Sequence, residues 1–391
     1  MAADREGQRS ATRVVGAGRR REWTGRIVNA PVHRASTILF DSVAELNAAR
    51  PGLGQYYYGL HGTPTQWSLS DALTELEPGA AGTMLMSSGL SAVTIALLTV
   101  LSPGDELLLV DSAYGPTRRF ADGFLKRMGI TTRYYDPAAG TSIQALFGER
   151  TRCVLLESPG SQTFELQDVR AICAAARAAG VATVLDNTWA SPLLFPALAA
   201  GVDISVMALS KYVGGHSDLM LGSASATNEW FPRLEQTTFA LGECVSPDDA
   251  WLGSRGLRTM ELRLRTQGEV ALRIAAWLEG QPAVGEVLHP GLPSSPDHAL
   301  YARDFAGGGT VFGFTLAAPT DAARTRVIEA LTLFGLGYSW GGYESLVTPV
   351  DLELVRTLPH RFVPHSLIRL QIGLEHADDL IADLAQALAH A

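Results

Sequence analysis

Residues 205–218 read SVMALSKYVGGHSD, and the fold is decided by how this stretch is read. The apolar run 204–209 has strand composition and stops at Ser210 and Lys211, after which Gly214 and Gly215 break regular structure. A lysine placed there stands at the end of a strand, the edge where open α/β sheets hold their ligands. Lysine is also the cation that gives up its proton when desolvated, which makes it an amine nucleophile for carbonyl compounds. Taken alone, Lys211 is a solvated side chain at a strand end. Its meaning depends on what the rest of the chain supplies.

Outward from this stretch, strands and helices alternate. TMLM leads through the small-residue turn Ser87-Ser88-Gly89 into a helix over about 91–101. DELLLVDSAY predicts a strand ending at Tyr114 with a helix over 120–128 behind it, and RCVLLESPGS a strand closing on Glu157. Asp168 caps a helix over 169–179 that Gly180 closes, and VATVLDNTWA predicts a strand ending near Asp186. This alternation predicts an α/β fold with a mainly parallel sheet flanked by helices. Tyr114, Glu157, Asp186 and Lys211 then fall at strand C-termini, on one rim of the sheet.

Residues 1–62 show little periodicity and read as an arm that packs on another domain or subunit. A helix over 65–77 opens the α/β part, taken as 63–256. Behind Gly253-Ser254-Arg255-Gly256, a long helical pattern over 257–279 leads into a smaller α+β part, taken as 257–391. There a strand (310–316), a helix (321–334), the glycine- and aromatic-rich YSWGGYESL, a strand (367–372) and a closing helix (377–389) are expected.

The 391 residues are 47% apolar and 18% charged, a soluble globular balance, and the formal net charge of −9 argues against nucleic acid or an anionic membrane as partner. No apolar stretch is long enough to span a bilayer. The three cysteines, Cys153, Cys173 and Cys244, show no metal-ligand spacing, which fits a cytoplasmic protein. Arg9, Arg13, Arg19, Arg20 and Arg21 suggest a transit peptide, but Asp4 and Glu6 weaken that reading.

If Lys211 holds an aldehyde, the cofactor pyridoxal phosphate (PLP) needs an acid for its ring nitrogen, a flat partner for its ring and an anion site for its phosphate. Asp186 supplies the acid and Tyr114 the flat partner. The turn at Gly89 and Leu90, at a helix N-terminus, offers backbone amides to the phosphate, joined by the Ser210 hydroxyl. Arg369, in the apolar strand LIRLQIG, is the side chain best suited to grip an amino acid's carboxylate.

With SKYVGGHSD, ESPGS, LDNTWA, SRGLRT, YSWGGYESL and LIRLQIGLE, the chain resembles the Cys/Met-metabolism family of PLP enzymes, fold type I, and among them its bacterial cystathionine β-lyase branch. The resemblance implies a homotetramer built from dimers, with active sites at dimer interfaces. It implies that Lys211 carries the cofactor, Asp186 pairs with the ring nitrogen and Tyr114 stacks on the ring. Ser210, Gly89 and Leu90 would contact the phosphate, Arg369 would clamp the carboxylate, and Tyr338, Ser339 and Trp340 would border the substrate. Tyr58 would arrive from the neighbouring subunit. The implied activity is a carbon–sulfur β-lyase reaction on an amino-acid thioether, cleaving L-cystathionine to homocysteine, pyruvate and ammonia in methionine biosynthesis by transsulfuration.

Two departures stand out. Relatives carry Tyr-x-Arg in the arm, whereas this chain has Tyr58-Gly59-Leu60-His61, and Leu60 cannot bind phosphate. Relatives that work at Cγ carry a glutamate at the place of Tyr338 and a His-Pro-Ala-Ser-Met-Thr-His stretch where this chain reads VTPVDLE; both differences point to β-elimination. Alternatives on the same scaffold are β-lyase action on cystine or other cysteine S-conjugates, and γ-lyase or γ-synthase chemistry. A cofactor-binding regulator is a further alternative, while a nicotinamide dehydrogenase is disfavoured because no G-x-G-x-x-G follows the first strand. His216 is expected to hold the loop behind Lys211.

Overall fold

The computed structural model describes residues 7–352, 356–360, 362–363 and 365–391, so Asp4, Glu6 and Glu353 lie outside the described residues. In chain order the strands are β1 (Gly82–Met86), β2 (Glu106–Val110), β3 (Thr131–Tyr135), β4 (Thr151–Glu157), β5 (Ala182–Asp186), β6 (Ile204–Ala208) and β7 (Gly222–Ala226). They continue with β8 (Val284–Leu288), β9 (Val311–Leu316), β10 (Gly335–Leu336), β11 (Leu346–Val350) and β12 (Leu367–Gln371). The chain forms two compact units, one from residues up to 100 with 196–261, the other from 101–195 with 262–391.

In the first unit β7 lies between β1 and β6 and runs antiparallel to both. The sequence GSASA has too few large residues to announce a strand, yet it is buried throughout. Its small side chains admit the helix Gly89–Val100, which packs on β6 and β7. Thr83 and Ser225, opposite one another in register, join their hydroxyls at 2.7 Å. A Cβ on Gly89 would come within 2.5 Å of the Ala208 Cβ, so only glycine lets this helix start against the end of β6.

One expectation in this unit is corrected. The stretch Gly253-Ser254-Arg255-Gly256 does not break the chain but lies inside the helix Pro247–Leu257, and a second helix, Met260–Glu279, follows. The glycines serve close packing: a Cβ on Gly256 would stand 2.2 Å from the carbonyl oxygen of Val213, in the loop behind Lys211. Helix-interior glycine costs about 1 kcal/mol against alanine, and here it is kept for the approach it permits.

In the second unit β5, β4, β2 and β3 lie side by side in that order, all parallel, as the alternating pattern predicts. The apolar sequences of β5, β4 and β2 are buried, whereas β3, TTRYY at the end of the row, is buried only at Tyr135. The helix Val169–Ala178 is capped by Asp168, which accepts the Ala171 amide at 3.2 Å. The same unit holds a second sheet, ordered β10-β11-β12-β9-β8 and antiparallel except for β10 with β11. Phe312, Phe314, Ile368 and Leu370 of this sheet share a core with Ile274 and Leu278 of the helix Met260–Glu279 and with Leu380 and Leu384 of the helix Ala377–Leu388. The helix expected to reach residue 334 ends at Ala330, where the carboxylate of Asp383 takes over the amides of Thr332 and Leu333.

Candidate active site

In the first unit Lys211 follows β6 by three residues. The turn that carries it is fixed by its amide to the Ala208 carbonyl at 3.1 Å and by the Gly215 amide to its own carbonyl at 2.7 Å. His216 closes this loop through Nδ1 and the Gly214 carbonyl at 2.8 Å, a structural role as expected. The Ser210 hydroxyl accepts the Leu221 amide at 2.9 Å and lies 3.2 Å from the Leu221 carbonyl, which ties the lysine turn to the entry of β7. Gly89 and Leu90 form the first turn of the helix Gly89–Val100, so their amides are among those the helix leaves without intrahelical acceptors. Tyr58 is half exposed in the arm, where it precedes the short 3-10 turn Gly59–His61. His61 is buried, its ring edge-on to Phe239 at 4.4 Å.

The second unit supplies the remaining groups. Tyr114 is not at the end of its strand: β2 stops at Val110, and Tyr114 stands four residues on, where the helix Gly115–Phe120 begins with Pro116 in its first turn. Asp111 fixes the path between. Its fully buried carboxylate receives Arg118 and Arg356 at 2.9 Å each, the Thr357 amide at 2.9 Å and the Leu358 amide at 3.0 Å. Burial alone would raise its pKa, but Arg356, these amides and Arg118 outweigh that and lower it.

Glu157 and Asp186 are register partners at the ends of β4 and β5. Asp186 accepts the Thr188 amide at 3.1 Å and the Thr188 hydroxyl at 2.5 Å. Glu157 is buried and accepts the Tyr114 amide at 2.7 Å. Burial first, and the neighbouring Asp186 second, push its pKa well above the usual carboxyl range, which favours its neutral form beside Asp186. The Tyr114 hydroxyl is also raised, by burial, Glu157 and Asp186, against the opposing pull of Arg119 and Arg369. It therefore keeps its proton at neutral pH. Glu157 was legible as a strand-end residue, but its hold on Tyr114 was not.

Arg369 projects from the middle of β12 and is only 9% exposed. Its guanidinium donates to the Ser339 carbonyl at 3.3 Å, and desolvation lowers its pKa to about 10, with Tyr114 and Tyr338 pulling the other way. No carboxylate enters that balance among the described residues. A buried guanidinium met by one backbone carbonyl is suited to an incoming carboxylate. Ser339 adopts φ +79, an uncommon conformation for a residue other than glycine, and so turns its carbonyl to Arg369. Gln267 holds the same loop through the Gly342 carbonyl at 2.7 Å. Trp340 is partly buried in this loop, whereas Tyr338 is 91% exposed. The structure thus brings Tyr114, Asp186, Arg369, Tyr338 and Ser339 into one electrostatic neighbourhood. It sets the Gly89 turn against the strand that leads to Lys211.

These groups suit PLP: a lysine behind a strand end, an aspartate beside a buried glutamate, a tyrosine that keeps its proton and a helix-start turn that only glycine allows. The class they define is a PLP-dependent enzyme of fold type I. The chain belongs to the Cys/Met metabolism PLP-dependent enzymes, whose family model matches residues 11–389. It is 48% identical over 368 residues to a putative cystathionine beta-lyase of Rhizobium johnstonii, covering 93% of this chain and 92% of that one. To the cystathionine beta-lyase MetC of Escherichia coli it is 40% identical, covering 97% and 98%. A crystal structure of cystathionine gamma synthase from Xanthomonas oryzae in complex with cystathionine superposes with a TM-score of 0.88 at 34% identity, over 97% of each chain.

Proposed function

We propose that this protein is a carbon–sulfur β-lyase that cleaves L-cystathionine, with water, to homocysteine, pyruvate and ammonia. The observation that carries the proposal is Arg369, a buried cation beside Tyr114 whose charge is met, among the described residues, by a carbonyl rather than a carboxylate. The whole-length similarity to cystathionine beta-lyases supports the choice of substrate, as do Tyr338 and the VTPVDLE stretch. No helix among the described residues is long and apolar enough to cross a membrane.

PLP, when bound, withdraws electrons from Cα of an amino acid and so acidifies its proton. Lys211 would hold the cofactor through Nζ, and the same atom, as a free amine, would take the Cα proton. Asp186, the register partner of Glu157, would pair with the ring nitrogen and keep it protonated. Arg369 fixes the substrate carboxylate through two guanidinium nitrogens. Tyr114, which keeps its proton, offers a neutral ring face and an O–H donor for the sulfur that leaves Cβ. The Gly89 and Leu90 amides with the Ser210 hydroxyl hold the phosphate. The proposal includes a homotetramer in which Tyr58 serves the neighbouring subunit; the apolar side chains that the arm leaves exposed, among them Ile27, Val28 and Leu39, support it.

The thiol released from L-cystathionine tests the proposal. Homocysteine in equal amount to ammonia is expected. Cysteine as the thiol would reassign the enzyme to γ-elimination, and release from cystine but not from cystathionine would reassign its substrate.

A further inference from the structure

The turn proposed to hold the cofactor phosphate already has an acid beside it. The amide of Ser87 donates to Glu243 Oε1, and the Ser91 hydroxyl donates to Glu243 Oε2 at 2.9 Å. One carboxylate thus spans the turn from the end of β1 into the helix Gly89–Val100. Glu243 and Leu60 also line a common cavity, together with His61.

The placement of Glu243 is built into the backbone. The helix Phe231–Ala240 ends in a Schellman motif: the Gly242 amide returns to the Phe239 carbonyl at 3.0 Å and the Glu243 amide to the Thr238 carbonyl at 3.2 Å. Gly242 has φ +71, the left-handed value that this helix end requires. Glu243 is the next residue, so the cap that ends one helix aims a carboxylate at the start of another. Such an acid is favourable near a helix N-terminus, at the positive end of the macrodipole, and here its partners are the Ser87 amide and the Ser91 hydroxyl on either side of Gly89 and Leu90. The same features make the place attractive to a phosphate.

We infer that Glu243 is a built-in opponent of the cofactor's phosphate: it holds the Ser87 amide and the Ser91 hydroxyl on either side of the Gly89–Leu90 turn and opposes the phosphate there by like charge. Its role is to weaken cofactor retention. The inference rests on the proposed phosphate role of Gly89 and Leu90. The Ser87 turn is exposed, so the repulsion is partly screened by solvent and by salt.

The test is the dissociation constant of PLP, titrated into cofactor-free protein and read from the visible absorbance of the bound cofactor. Glu243→Gln keeps an oxygen for the Ser87 amide while removing the charge. It is expected to bind PLP roughly tenfold more tightly than wild type at low salt, with the difference shrinking as salt is raised. Glu243→Ala, which also loses the hydrogen bonds, separates charge from structure: tighter binding by both variants marks the charge, and tighter binding by the glutamine variant alone marks the charge against a turn that still needs an acceptor. Equal or weaker binding by Glu243→Gln overturns the inference. A wild-type protein that binds no PLP overturns the proposed function as well, and the two failures are thereby told apart.

Discussion

In the unit of residues 7–100 and 196–261, the groups proposed for the phosphate are backbone amides at an exposed turn, and an acid, Glu243, already uses part of that turn. In the other unit the group proposed for the substrate's carboxylate is one buried side chain, Arg369, and burial with the neighbouring Asp186 pushes Glu157 well above the usual carboxyl range. The amide turn is soft: solvent screens it, and a carboxylate of the chain itself already holds the Ser87 amide and the Ser91 hydroxyl at its edges. The guanidinium is hard, because burial has removed the water that would otherwise satisfy it. On the proposed assignments, the substrate's carboxylate is held stringently and the cofactor's phosphate loosely, which leaves more of the cofactor's retention to Lys211.

The largest effect expected is at Lys211. Lys211→Ala is expected to lower turnover by at least about a thousandfold and to remove the visible band of the lysine-bound cofactor, both readable on one preparation. A variant with full activity would break the assignment of the first unit. Next comes Arg369→Ala, expected to raise KM about a hundredfold with a smaller change in kcat, the scale for removing one partner of a buried charge pair. An unchanged KM would show that Arg369 is structural and would remove the contrast between the two units.

Glu157 sharpens the comparison. Because burial and Asp186 favour the neutral form of its carboxyl group, Glu157→Gln is expected to keep activity within about threefold, whereas Glu157→Ala, which strands the Tyr114 amide, is expected to lose about tenfold or more. Equal losses in both variants would mean that the acid acts as a charge.

The first unit has a buried acid of its own. Glu77 is raised to about 7 by burial, against the Leu198 amide and the Ser205 hydroxyl, both at 3.2 Å. Its folded value exceeds its unfolded one, so the stability it contributes is full below the ordinary glutamate range and lost as pH rises through about 7. That loss is on the order of 3 kcal/mol. Glu77→Gln is therefore expected to flatten the fall in Tm between about pH 5 and pH 8, and a wild-type Tm that does not fall there would contradict the assignment.

What the sequence made legible follows from how local each signal is. β4, β5 and β6 are apolar runs that end where polar residues begin, so Glu157, Asp186 and Lys211 fall where periodicity put them. β7 escaped because GSASA lacks the large side chains that mark a strand; it is a strand because a helix lies on it. Gly253 and Gly256 read as a break because glycine usually is one, but their neighbours in space, Leu69 and the Val213 carbonyl, are far away in sequence. Tyr114 was assigned its place through a strand that ends four residues earlier, since the buried Asp111 network that carries the chain onward depends on Arg356. Glu243 gave no signal at all. Its position depends on the helix end it caps, and its partners lie about 150 residues away.

The most direct test of the account is the keto acid that the wild-type protein forms from L-cystathionine, identified by mass. Pyruvate, with three carbons, is the product of breaking the Cβ–S bond and is the result expected. 2-Oxobutyrate, with four, comes from breaking the bond at Cγ and would contradict the assignment.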